Sequence, residues 1–137
     1  MVRRLAPFAA LAVIAAACGG KIVSPTAQTV IGTLPATTVP KGNAAAGKAV
    51  FLTSGCGACH TFTPAGATAK IGPDLNKLAD YAQKAGQPLA AFAQSAIVSP
   101  PPPYVPPGFK NIMPTTFGTS LSAKQLADLV AFVTQSH

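Results

Sequence analysis

Five residues constrain this chain more than any others: Cys56-Gly57-Ala58-Cys59-His60. Two thiols and an imidazole lie within one helical turn of each other, so they act together or not at all. The 137 residues hold only three cysteines, which is no disulfide framework. A redox-active C-x-x-C belongs in a βαβ setting, and no alternating strand pattern is visible around it. A zinc centre needs four ligands. Apart from the motif, the remaining thiol and imidazole are Cys18 and the terminal His137, a poor geometry for a closed site.

C-x-x-C followed at once by His is the attachment signature of c-type haem. Thiols at this spacing can add across the two vinyl groups of a haem, and the adjoining His60 is then placed under the iron. The second axial ligand follows by elimination. Once Met1 is removed with a leader, Met113 is the only methionine, and the other histidine ends the chain. A thioether favours ferrous iron and raises the potential. The alternative is a Met113 that only packs in the core, with the iron left open or bound by a lysine.

The N-terminus has the form of an export signal. Arg3 and Arg4 precede an apolar run from Leu5 to Ala17, shorter than the ~20 residues of a membrane-spanning helix. Ala15-Ala16-Ala17-Cys18 resembles the end of a bacterial lipoprotein signal, with Cys18 as the lipidated first residue, although Ala15 stands where that pattern usually has Leu. A plain secretory signal with an incidental cysteine is the alternative. The expected division is a signal over 1–17, a Thr/Pro-rich tether over 18–42 and a domain over 43–137. As a random coil the tether would span roughly 25–30 Å; the alternative is an arm packed on the domain.

Within 43–137, Asn43 can cap a helix formed by AAAGKAVFL. Gly47 inside that helix suggests close approach of another backbone or ring, on the face that Phe51 shares. Ser122 and Gln125 fit a capping box, Leu121 and Leu126 its staple, and Leu126, Leu129, Val130 and Val133 a helical stripe. Further helices are expected at about 74–84 and 88–98, the last ended by Pro100–Pro103, with Pro106 and Pro107 stiffening the loop. The expected class is all-α, with short helices, long loops and a core too thin without something inside it.

Residues 43 to about 135 resemble a class I cytochrome c. The resemblance rests on Gly47 with Phe51, Cys56 to His60, Gly72-Pro73-Asp74-Leu75, Met113-Pro114 and Leu129-Val130-Ala131-Phe132. It implies the cytochrome c fold wrapped around one covalent haem c. Cys56 and Cys59 would be its thioether attachments, and His60 and Met113 its axial ligands. It also implies that the first and last helices cross at Gly47, and that the Pro73 carbonyl accepts a hydrogen bond from the His60 ring. The other reading of Pro73, compatible with this one, is a helix-entry proline at N1. The stretch Phe92 to Phe132 resembles, more narrowly, the cytochrome c domains attached to subunit II of haem–copper oxidases, from which the four successive prolines depart.

A haem iron with both axial positions filled suits outer-sphere electron transfer. The expected function is a lipid-tethered electron carrier on the outer face of a bacterial membrane, serving a respiratory complex such as a terminal oxidase. The alternative is the haem subunit of a multi-subunit dehydrogenase or reductase. An enzymatic reading lacks residues: the three acids are Asp74, Asp80 and Asp128, with no spare interior histidine for acid–base work. Tyr104, Lys110 and Asn111 are candidates for the haem edge. The chain carries +7 overall, but the domain's six lysines (Lys48, Lys70, Lys77, Lys84, Lys110, Lys124) are scattered and not interleaved with aromatics. That pattern excludes a nucleic-acid surface and leaves, at most, steering toward acidic redox partners. No small-molecule substrate is expected.

Overall fold

Asn43 sets the start of the first helix. Its extended backbone and its side-chain oxygen, which accepts from the Ala46 N–H at 3.0 Å, begin α1 (Ala44–Thr53). The computed structural model describes residues 40–135. The expected signal, Cys18, the tether as far as residue 39, and His137 lie outside the described residues. Gly42, read as the last residue of the tether, lies against the backbone of Ala127, so the packed unit begins no later than that glycine.

From α1 the chain passes through a 3₁₀ turn at Cys56–Ala58 to a two-residue strand β1 (Thr61–Phe62), a 3₁₀ turn at Thr63–Ala65 and β2 (Ala67–Thr68). Strands β1 and β2 pair antiparallel, Thr61 opposite Thr68 and Phe62 opposite Ala67. This is a correction to the expectation of no strand at all: two residues per strand carry no period that a sequence pattern can display. The helix expected over 74–84 divides. Asp74 caps a 3₁₀ turn at Leu75–Lys77 through the Asn76 N–H, and α2 (Leu78–Lys84) follows. The cap therefore falls on Asp74, and Pro73 stands before it rather than at N1. Helix α3 (Leu89–Val98) ends just before the proline run.

A short α4 (Phe117–Ser120) was not expected; Gly118 sits so close to the Val98 carbonyl that an added Cβ would lie 2.9 Å from its oxygen. Helix α5 (Ala123–Thr134) begins with both halves of the capping box in place, Ser122 and Gln125 each bonding the other's backbone. Leu129, Val130 and Val133 of the stripe are buried, and Leu126 and Leu121 pack against the core from its edge.

Helices α1 and α5 meet at Gly47. A Cβ there would overlap the Asp128 carbonyl oxygen and lie 2.7 Å from the Phe132 Cβ, so only glycine allows this approach. Around the contact, Phe51, Phe62 and Phe132 form a closed triangle, with ring centroids 5.3–5.7 Å apart. Two of the pairs are edge-on, the arrangement in which the positive ring edge meets the negative face. Phe62 comes from β1, two residues after His60, so this triangle fastens the motif to the helix pair. Among the described residues, no helix is long and apolar enough to cross a membrane.

Candidate haem site

The Cys56–His60 segment is held as a tight turn. The N–H groups of Cys59 and His60 both donate to the Cys56 carbonyl, at 3.2 and 3.1 Å. Gly55 enters this turn in the left-handed region, at φ 72°. Gly57 faces Ala67, and a Cβ there would come within 3.2 Å of the Ala67 Cβ, so the small residues between the cysteines let β2 lie alongside. Both thiols are half-buried and unbridged. Burial pushes the Cys56 thiol up from its ordinary range, which keeps it protonated at neutral pH.

His60 is placed by a second segment. Its Nδ1 lies 2.7 Å from the Pro73 carbonyl oxygen. A carbonyl only accepts, so Nδ1 carries the proton and donates, which leaves Nε2 as the nitrogen with a lone pair. Such a partner fixes a ligating imidazole's orientation and raises its basicity. Gly72 makes the approach possible: a Cβ there would lie 2.6 Å from the ring's Cε1. The Gly72 N–H also donates to the Cys59 carbonyl at 2.7 Å, so the 72–73 strip is bonded to the motif twice, at the Cys59 backbone and at the imidazole.

That strip is tied down in turn by Asn76. Its Oδ1 accepts from the Thr63 N–H at 3.0 Å, and its Nδ2 donates to the Asp74 carboxylate at 2.7 Å. Nothing in the sequence pattern singled out Asn76; an Asp-x-Asn turn just after Gly-Pro was the available signal.

Cys56, Cys59, His60, Pro73 and Met113 all line one cleft, so the structure brings together every predicted site residue among those described. Cys18 lies outside the described residues. The cleft encloses about 1280 Å³ of space, its open mouth included. Its inner wall is Phe51, Leu78, Phe92, Ile97, Leu129 and Val133, one side of the hydrophobic core. Tyr104, Lys110 and Asn111 also line it, as do Ile71 and Ile112, both more than half exposed. No carboxylate lines it among the described residues.

These residues fit a haem. A flat apolar macrocycle needs a deep apolar slot, two thiols at one rim, an imidazole with a free Nε2 and a ligand from another segment. The cleft supplies each of them. It also accounts for the thin core, since its inner wall is packed on one side only. Haem c, when bound, supplies an iron that gains and loses one electron. The protein's part is then mechanical and dielectric. Cys56 and Cys59 would tether the group, His60 is held in one orientation by Pro73, Met113 lines the cleft from the loop, and the apolar inner wall would exclude water. Tyr81, at the α2 side of the cleft, stays a neutral phenol, because burial and the nearby Asp74 push its ionisation up.

Comparison with known proteins agrees with this geometry. A search of curated proteins gives no match. The sequence model of the family described as "Cytochrome c" matches residues 44–137, most of the chain and all of the cleft. Proteins of this family hold haem c covalently and are generally electron carriers rather than enzymes. The chain belongs to the cytochrome c family.

Proposed function

We propose that this protein is a monohaem carrier of single electrons, its iron held between His60 Nε2 and the Met113 thioether and its haem attached through Cys56 and Cys59. The observation that carries the reading is the Nδ1–Pro73 hydrogen bond, which commits the other nitrogen of His60 to the cleft that Met113 also lines. An iron closed on both faces leaves no position for a substrate, so only an electron crosses. Lipid at Cys18 would then anchor the domain to the outer face of a bacterial membrane, with residues 18–42 as the tether. The electron partner would be a membrane respiratory complex, such as a terminal oxidase. The domain's six lysines against three aspartates support an acidic docking face on that partner.

An optical spectrum of the reduced, haem-loaded protein with and without carbon monoxide tests the ligand set. An unchanged Soret band is expected, because both axial positions are filled. A shifted band would show an accessible iron and overturn the assignment of Met113.

A further inference from the structure

The segment that carries Met113 has almost no backbone support. Among the described residues, the sole backbone hydrogen bond within 99–116 runs from the Ile112 N–H to the Lys110 carbonyl, at 3.0 Å. No side chain of residues 100–115 hydrogen-bonds to the rest of the described protein. Prolines at 100–103, 106, 107 and 114 cannot donate at all. A loop of this kind is held by packing or not held.

Past its first proline, its packing is concentrated at one aromatic residue. Pro100 is buried where the loop begins; beyond it, among the non-proline apolar side chains of the loop, Tyr104 alone packs against the core cluster. Its ring lies 6.0 Å from the Tyr81 ring, centroid to centroid, tilted by 34°. The Lys84 ammonium sits 5.5 Å from the Tyr104 ring centroid. Tyr81 and Lys84 are three residues apart on α2 and so share a face. Downstream, Phe117 of α4 is the next side chain packed on the core. Met113 therefore hangs between two anchors, Tyr104 and Phe117, with Pro106 and Pro107 limiting the slack.

We propose that Tyr104, clamped by the Tyr81 ring and the Lys84 ammonium, is a positioning residue for Met113, pinning the proline loop to α2 so that the thioether stays at the haem. This rests on the reading of Met113 as the axial ligand. The clamp adds to the preference for the closed site the worth of one aromatic pair and one cation–π contact, which together correspond to about a tenfold change in an opening equilibrium.

The test is the rate at which carbon monoxide binds the reduced, haem-loaded full chain. Tyr104→Ala should raise that rate about tenfold and lower the reduction potential, while Tyr104→Phe, which keeps the ring, should stay within about twofold of wild type. Lys84→Gln removes the cation but leaves the ring seated, and should raise the rate about threefold. It also serves as the deciding variant if Tyr104→Ala fails to load haem. Leu126→Ala, which loosens α5 away from the loop, should lower Tm without accelerating binding. Acceleration by Leu126→Ala equal to that of Tyr104→Ala would reduce the clamp to general stability and overturn the proposal. Wild-type rates in Tyr104→Ala and Lys84→Gln, beside fast binding by Met113→Ala, would overturn the clamp and leave the ligand assignment standing. Binding by Met113→Ala no faster than wild type would overturn the ligand assignment and the clamp with it.

Discussion

The carboxylate of Asp128 on α5 accepts a hydrogen bond from the backbone N–H of Asn43 at 2.6 Å, joining positions 85 residues apart where the first helix begins. Lys124, one turn back on α5, pairs with the same oxygen. One buried carboxylate thus completes the N-terminus of α1, favours its dipole and ties it to α5. The Lys124 hydrogen bond first, and the Asn43 N–H second, hold the carboxyl below its ordinary range.

The sign of the resulting pH dependence follows. A carboxyl lowered in the folded state contributes stability above its unfolded value of about 3.9, and the contribution is lost as the pH falls through the lowered folded value. Asp128→Asn is expected to lower Tm by several degrees at pH 7, and the gap to wild type should close progressively below about pH 4. Thermal melts of both proteins across that range check it; a gap independent of pH would mean that the ionised carboxylate is not what joins the helices.

Gly47→Ala sets two effects against each other. Alanine gains about 1 kcal/mol of helix propensity. Its Cβ would collide with the Asp128 carbonyl and the Phe132 Cβ, and overpacking of this kind costs about 1–3 kcal/mol. Backbone on both sides leaves little room to yield, so a net loss is expected, read as a lower denaturant midpoint with an unchanged slope.

Asn76→Ala tests the support behind His60. Without the ties to Thr63 and Asp74, the Pro73 carbonyl is less firmly held against Nδ1. A weaker hydrogen bond makes the imidazole a poorer donor to the iron, which favours the reduced state. The reduction potential should rise, by no more than about 59 mV if the effect is within tenfold for one electron. Voltammetry of the purified protein gives the answer, and a fall in potential would contradict this account of the bond.

Cys18→Ser tests the anchor. A lipid-bound protein should sediment with membranes, and the variant should appear in the soluble exported fraction with its haem spectrum unchanged. Retention of the variant on membranes would argue against lipid at that position.

The most legible features of the sequence were those whose partners lie within a few residues. The capping box of Ser122 and Gln125 spans four positions, and both of its hydrogen bonds are present. The Asn43 cap is equally local. Strand β1, with two residues, and α4, packed at Gly118 beneath the Val98 carbonyl, carry no internal period and depend on distant neighbours. The division of the 74–84 helix turned on a side chain, Asp74, that caps two residues later than the proline suggested.

The sequence by itself determined that Cys56, Cys59 and His60 stand together as a C-x-x-C-H motif, because five adjacent residues make it and chain connectivity alone keeps them together. Only the tertiary structure decided what surrounds that motif. Gly72 lies against the imidazole, Asp128 reaches Asn43, and Tyr104 packs against Tyr81 and Lys84. Each of these contacts closes a loop of chain, an entropy cost that burial of the hydrophobic core offsets. No local pattern encodes such a contact, since neither partner's neighbours in sequence report where the other will lie.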